Sequence, residues 1–393
     1  MRAGCKNAGR GQLRLPESLF TIPSIAYLPG SPASDRKAQS LTCNRTWLTT
    51  DRNEQANRPR VAIPSLIPPQ GILMKEAILI ASLLLLSTQA FPQETIAAAT
   101  ALAEAKDYAG ARRILEGIVR RDGQNHQARF QLGRLLSGPL RDYDAAEEQL
   151  EKAAELAPDS AEYHFALGNL YGIQAQHASI FSKFSYAGKV KEEFLKASTL
   201  SPRTIRYHMA LMIYYIQAPG IAGGSDEKAR EQATEIGKID PYEGLLATAE
   251  VETAAENPEN AEQAYRRAIE MRPDGWRAYH RLGYLYMREK RWDNAIAQFR
   301  KYVEVAPKDA NSHDSLGEAL LAKGSTDEAL ASYLKALSVD ASFGASMHGA
   351  ATCYARKGMK SEAAKRYRQY ADTYPDARDA KAARERADEL EGK

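Results

Sequence analysis

Cysteine is scarce in this 393-residue chain. Cys5 and Cys43 lie near the N-terminus, and Cys353 is the one thiol of the remaining sequence, so the main body cannot form an internal disulfide. No Cys/His cluster has the spacing of a zinc site. We therefore predict that Cys353 is a small buried thiol on a helix, and we expect neither a metal nor a cofactor.

The main body also lacks a basic field. The whole chain carries a net charge of +3, but the residues from Phe91 onward hold 42 Lys and Arg against 45 Asp and Glu. Nucleic-acid binding needs clustered basic side chains that displace counterions from the phosphate backbone. The charge distribution therefore argues against nucleic acid as a partner.

The usual catalytic motifs are missing as well. The sequence contains no G-x-S-x-G, no H-E-x-x-H and no glycine-rich loop ending in Lys-Ser or Lys-Thr. The acidic pairs Glu147-Glu148 and Glu192-Glu193 fall within amphipathic helical patterns, which favours solvated faces. An enzyme would have to assemble its site across distant segments, and the sequence does not suggest that it does.

Residues 1–73 differ from the rest of the chain. They hold 8 of the 18 prolines and 10 basic residues against 4 acidic ones, without a sustained apolar period. Such a composition indicates disorder. Because a secretory signal normally starts a protein, this tract is either an extension upstream of a true start at Met74 or, as an alternative, an Arg-rich transit peptide.

A secretory signal is predicted at 74–90. The stretch "MKEAILIASLLLLSTQAFPQE" has a lysine, a ten-residue apolar core from Ala77 to Leu86 and small residues before a cleavage site after Ala90. The core is too short to span a membrane. We therefore expect a protein exported to the periplasm, with membrane contact only through an uncleaved signal segment. No cysteine follows the core to support a lipoprotein anchor.

The remaining sequence is repetitive. The unit "WRAYHRLGYLYMREKRWDNAIAQFRKYVEVAPKD", whose first position is Trp276, is followed by two units with the same spacing. The closing position recurs every 34 residues, at Pro273, Pro307, Ala341 and Pro375. Small residues at the eighth and twentieth positions let two helices approach closely, and a proline ends the second helix. Neither helix can bury its apolar stripe alone, so the units must stack.

These motifs resemble the tetratricopeptide repeat family over about three quarters of the chain. The resemblance implies an all-α, right-handed superhelical solenoid of about eight antiparallel helix pairs and a C-terminal capping helix. We place a divergent array at 91–241 with insertions near 172–189 and 218–225, a regular array at 242–377 and the capping helix at 378–393.

The resemblance also implies a concave groove lined by positions 2, 5, 9, 12 and 13 of each first helix. The family's best-known groove uses a lysine at position 5 to bind a terminal carboxylate, and here that position holds Phe165, His208, His280, Asp314 and His348. That clamp is therefore absent. The groove residues predicted to contact a partner are His208, Met212, Tyr215, Arg277, His280, Tyr284, Met287, Arg288, Asp314, Glu318, His348 and Arg356.

Three of these are histidines at what we take to be equivalent positions: His208, His280 and His348. Histidine can bind metal or sense pH. Their units are not neighbours, so we expect separate surface or peptide-contacting side chains and not a shared metal site.

The two insertions depart most from the repeat. "GIQAQHASIFSKFSYAGK" lengthens the connection in the third unit, and "APGIAGGSDEKA" runs into a helix that Ser225 or Asp226 caps, which is unlike a phosphate-binding loop. Insertions of adjacent units should project from one edge. The predicted edge lobe contains Phe181, Phe184, Tyr186, Gly220, Gly223 and Gly224.

Taken together, these patterns predict a non-catalytic exported scaffold that binds another protein or peptide through its groove and edge lobe. The alternative is a ligand- or substrate-binding accessory protein of an export, transport or envelope-assembly system. A mixed groove of His, Arg, Asp and Glu favours a polypeptide.

Overall fold

The computed structural model describes residues 95–392, apart from the side chains of residues 180 and 181. The predictions for residues 1–73 and for the signal at 74–90 lie outside this range. The described α-helices, numbered in chain order, are α1 Ile96–Glu104, α2 Tyr108–Arg121, α3 His126–Ser137, α4 Tyr143–Leu156, α5 Ala161–His177, α6 Ile180–Leu200, α7 Ile205–Gln217, α8 Asp226–Ile239, α9 Pro241–Ala254, α10 Pro258–Met271, α11 Trp276–Arg288, α12 Trp292–Val305, α13 Ala310–Lys323, α14 Thr326–Val339, α15 Gly344–Arg356, α16 Lys360–Thr373 and α17 Ala380–Glu391.

The helices pack as consecutive pairs, from α1 with α2 to α15 with α16. Each pair also packs against the next one, so the core runs along the stack and not around a single centre. Helix α17 closes the end by burying Ala380, Ala383 and Ala387 against α16. The predicted solenoid of about eight pairs with a capping helix is therefore confirmed.

A close contact recurs between paired helices, in which a small residue at the eighth position of the first helix faces a ring of the second helix. We call this contact the joint. A Cβ built on Gly283 of α11 would lie 2.5 Å from Phe299 of α12, and one on Gly168 of α5 would lie 2.6 Å from Phe194 of α6. Neither position leaves room for a side chain, because the ring of the second helix fills the space. The eighth position of the repeat therefore sets how closely two helices approach.

Most connections within a pair use a left-handed residue. Residues with positive φ lie between the first and second helices at Lys106, Arg141, Gly223, Glu256, Lys290, Gly324 and Gly358. The third pair is the exception, since Ala178 and Ser179 between α5 and α6 are extended, with ψ of 158° and 160°. A sharp left-handed turn is replaced there by two extended residues.

The insertion at 172–189 does not form the longer loop that we expected. Residues 172–177 continue α5, and α6 begins at Ile180, so these two helices have 17 and 21 residues. The core pattern Ala187, Val190, Phe194 and Ala197 keeps helical spacing through α6, which makes a longer helix more favourable than an exposed loop.

The insertion at 218–225 does form a compact connection. A 3₁₀ turn spans Gly220–Ala222, and Ser225 caps α8 by accepting a hydrogen bond from the backbone N–H of Lys228 at 3.3 Å. Gly223 has φ +91°, and a Cβ on Gly224 would lie 1.7 Å from the Ala218 carbonyl oxygen. Glycine is needed at these two positions for backbone reasons, without any phosphate.

Candidate functional site

The first helices of neighbouring pairs form one side of the stack. They approach each other more closely than the second helices do, which makes theirs the shorter, inner side. Side chains also connect them: the Tyr284 hydroxyl of α11 donates to Glu318 of α13 at 2.9 Å, and Arg356 of α15 donates to the Leu321 carbonyl at 3.3 Å. We call the face carrying positions 2, 5, 9, 12 and 13 of these helices the inner surface.

Sequence reasoning missed a contact that fixes the register of four first helices. A histidine or tyrosine at position 4 donates to the carbonyl of the proline six residues earlier. The pairs are His164 to Pro158 at 2.9 Å, His208 to Pro202 at 2.9 Å, Tyr279 to Pro273 at 3.0 Å and His313 to Pro307 at 3.1 Å. The spacing was visible in the sequence and assigns position 4 directly.

This register corrects the prediction for α7. His208 is equivalent to Tyr279 and not to His280, so His208, Met212 and Tyr215 were each placed one position too early. All three are buried, and Met212 takes the eighth position that other pairs give to a small residue. The inner positions of α7 instead hold the half-buried Met209, Ile213 and Ile216.

His280 does occupy position 5 of α11, but aromatic rings surround it. Its ring centroid lies 5.0 Å from that of Tyr284, 5.2 Å from Tyr302 and 6.4 Å from Phe299. The Asn311 side-chain amide lies 3.2 Å from Nε2 and donates to it. Burial lowers the pKa of His280 to about 4, so the ring is neutral at pH 7 and accepts that hydrogen bond.

Asp314 occupies position 5 of α13 and is buried, so it does not present an open charge as predicted. Ser346 of α15 donates to its carboxylate at 2.5 Å. Burial raises the pKa of Asp314 to about 6, with a smaller contribution from the charge of Glu318. Glu318 itself is exposed, one turn further along α13.

The inner arginines are already engaged. Arg277 is paired with Glu243 of α9, and Arg288 donates to the Thr253 carbonyl at 3.5 Å. Arg288 and Arg356 both remain exposed. These two side chains therefore connect successive first helices while keeping apolar stems and part of their charge on the surface.

The remaining predicted groove residues are half-buried. Met287 packs at the edge of the aromatic core, and the His348 ring lies 5.3 Å from Tyr367 and 5.7 Å from Tyr370. Among residues 95–392, no group of three or more His, Cys, Asp or Glu side chains could hold a metal ion.

The predicted edge lobe is partly apolar and exposed. Phe184 is 38% exposed and Ile221, on the 3₁₀ turn, is 85% exposed. Tyr186 is half-buried, with its ring 6.1 Å from Tyr171. The 3₁₀ turn contacts α6, the helix that carries Phe184 and Tyr186. Gly220 has open space around it, and the side chain of Phe181 lies outside the described residues.

The interior also contains a thiol and a carboxylate. Cys353 is buried, as predicted, and burial raises the pKa of its thiol to about 11. Glu193 is also buried and not solvated, and it lies 2.6 Å from the Nδ1 atom of His164. Within the described range, no helix is both long and apolar enough to cross a membrane.

Comparison with known proteins identifies the class of this chain. Three models described as tetratricopeptide repeat match it, at residues 102–170, at 246–310 and 296–350, and at 345–377. Together with the repeated joint and the helix pairs, these matches show that the chain belongs to the tetratricopeptide repeat family.

The chain is also similar to solved structures, and the one with the higher TM-score below shows the same fold. The crystal structure of yeast Tom70 is 16% identical, with 73% of this chain and 59% of Tom70 covered at a TM-score of 0.56. A tetratricopeptide repeat protein from Parabacteroides merdae is 16% identical, with 66% and 96% covered at a TM-score of 0.48. This chain thus spans less than two thirds of Tom70. A search of curated proteins gave no match.

Proposed function

We propose that this protein is a non-catalytic, exported scaffold that binds another polypeptide along its inner surface. The proposal rests on the mixture of paired charges and partly exposed apolar side chains on that surface. Charged pairs such as Arg277 with Glu243 neutralise each other, whereas Met209, Ile213 and Ile216 remain partly exposed. Depletion of free charge around exposed apolar, aromatic and methionine side chains is typical of the core of a protein interface.

The distribution of these side chains favours a polypeptide over a small ligand. A small ligand buries most of its surface in one concave pocket. Here the partly exposed side chains are spread over successive first helices, from Phe165 on α5 to Tyr284 on α11 and His348 on α15. An extended segment crossing several pairs could contact them together.

The edge formed by Phe184 and Ile221 is proposed as a second contact. Exposed apolar side chains of this size are individually common, but these two lie on elements that contact each other. Deleting residues 221–224 should weaken partner binding while leaving the array folded.

Site-specific photo-crosslinking in cells tests the inner-surface proposal. A crosslinker at Ile213 or Tyr284 should trap a polypeptide, whereas one at Ala297 or Ala331, exposed positions of α12 and α14, should not. Equal crosslinking at all four positions would contradict the proposal, because it would show contact without a preferred face.

Export is proposed from the apolar segment at 74–90 alone. Mass spectrometry of the chain purified from its own cells should find a mature N-terminus at Phe91. Mature protein that retains peptides from residues 1–73 would contradict this part of the proposal.

A further inference from the structure

His164 of α5 makes two buried contacts that require two protons on its ring. Nδ1 lies 2.6 Å from a carboxylate oxygen of Glu193 on α6, and Nε2 lies 2.9 Å from the carbonyl oxygen of Pro158. Both partners are acceptors, so both ring nitrogens must donate. A neutral imidazole carries one N–H and can satisfy only one of them. The geometry therefore calls for a charged imidazolium in the interior.

The charged groups around this ring come mainly from α6. Lys196 lies 2.8 Å from Glu193 and from Glu192, so Glu193 is shared between a lysine and the histidine. On α4, Glu147 and Glu151 contact Gln174 and Tyr171, two to three turns further along α5. The connection before α5 contributes the Pro158 carbonyl.

The next helix pair offers a natural comparison. His208 of α7 donates to Pro202 in the same way, but its Nδ1 lies 2.9 Å from Oε1 of the neutral Gln232 side chain. Gln232 stands nine residues before Pro241, as Glu193 stands nine residues before Pro202. The two sites share their register and differ in the charge of one partner. A 180° turn of the Gln232 amide would bring its NH₂ group to Nδ1, so a neutral His208 ring can satisfy both partners. A carboxylate has no such alternative.

We propose that the His164–Glu193 pair is a proton-dependent latch, which holds α5 against α6 in mildly acidic solution and loosens them as the solution becomes alkaline. Loss of either ring proton leaves a lone pair facing a carboxylate or a carbonyl in the interior, an unfavourable buried contact. The latch joins the two longest of the described helices, and α6 carries Phe184 on the proposed edge.

The direction of the pH effect follows from the two groups. The hydrogen bond that His164 donates to Glu193 raises the pKa of His164 above 6.5, against an opposing effect of burial. The stabilisation is therefore complete below about pH 6.5 and is lost as pH rises through the folded value. Burial acts to raise the pKa of Glu193, but bonds from His164 and Lys196 lower it overall. The pair therefore persists until pH falls below about 4.5.

Hydrogen exchange of the full chain between pH 6 and pH 9 tests the latch, with protection corrected for the intrinsic effect of pH. Protection of residues 161–177 and 180–200 should fall by up to about tenfold for each pKa unit that folding adds to His164. Residues 205–217 and 226–239 should change less. In His164→Gln this pH-dependent loss should disappear, whereas His208→Gln should keep it.

A second variant and a measurement on the wild type keep the proposal testable if His164→Gln does not fold. Glu193→Gln keeps an acceptor but removes its charge, so it should also flatten the pH dependence of protection in α5 and α6. In the wild type, the ¹⁵N shifts of the His164 ring should report an imidazolium at pH 6 and a pKa above 6.5. A ring pKa below 6.5, or an unchanged pH dependence in His164→Gln, would overturn the proposal.

Discussion

The pairs α5–α6 and α11–α12 have the same joint but differ in what they show on the inner surface. Gly168 meets Phe194 in the first and Gly283 meets Phe299 in the second, at nearly the same spacing. Around the first, the apolar side chains of Phe165, Met209 and Ile213 lie at inner positions of α5 and α7; around the second, His280 and Tyr284 hydrogen-bond to α13.

This difference separates the repeat positions at which packing restricts the residue type from those at which many residue types fit. Positions facing the partner helix of the same pair are limited by close packing, because a side chain there would overlap a ring. Positions on the inner surface meet neighbouring first helices at a distance that polar bonds or apolar side chains can both bridge. The joint therefore specifies the fold, and the inner surface is free to specify a partner.

The largest expected effect tests the shared joint. Phe194→Ala and Phe299→Ala each remove a fully buried ring and should lower the free energy of unfolding by about 3–5 kcal/mol. Chemical denaturation and hydrogen exchange should show the loss in the altered pair and its neighbours. If only one of the two substitutions lowered the free energy of unfolding, the two joints would not be equivalent.

A smaller effect, a pH dependence of stability, is expected from the buried Asp314 beneath the polar part of the inner surface. Folding raises the pKa of Asp314 from 3.8 to about 6, so ionisation disfavours the fold and stability should fall as pH rises through that interval. Asp314→Asn keeps an acceptor for Ser346 and should be more stable than the wild type above pH 6, by about 1–3 kcal/mol. Denaturation at pH 4 and pH 7.5 measures this, and the same difference at both values would contradict it.

The bond between α11 and α13 should contribute less. Tyr284→Phe removes the hydroxyl that donates to Glu318 and should cost about 0.5–1.5 kcal/mol. Glu318→Gln retains an acceptor and serves as its control, with a smaller cost in the same denaturation experiment. A greater cost for Glu318→Gln than for Tyr284→Phe would show that the hydroxyl is not the important donor.

The smallest effect is expected on the second helices. Arg300 of α12 and Glu328 of α14 form a 3.3 Å ion pair with both side chains largely exposed. Arg300→Ala should change stability by no more than about 1 kcal/mol and less at high salt. Thermal unfolding with and without added salt measures this change, and a larger, salt-independent cost would contradict a surface role.

Sequence reasoning was accurate where close packing repeats and inaccurate where it does not. The 34-residue step and the small eighth residue predicted the pairs, the stack and the capping helix. The register of α7 was wrong because Met212 fills the eighth position and hides the pattern. The proline six residues before His208 would have corrected it.

The other errors have a similar origin. Residues 172–189 were expected to loop out, yet Ala187, Val190 and Phe194 already continue a helical stripe. Burial of Asp314 and Glu193 depends on Ser346 and His164, which approach from other helices. Partners of that kind lie 29 to 32 residues away, so local charge patterns could not reveal them.

The most direct test of the account compares hydrogen exchange of the full chain alone and with the polypeptide trapped at Ile213. Protection should increase in residues 205–217 and 276–288 of the first helices and stay unchanged in residues 292–305 and 326–339 of the second helices. That result would support binding along the inner surface. Protection confined to the second helices would contradict it.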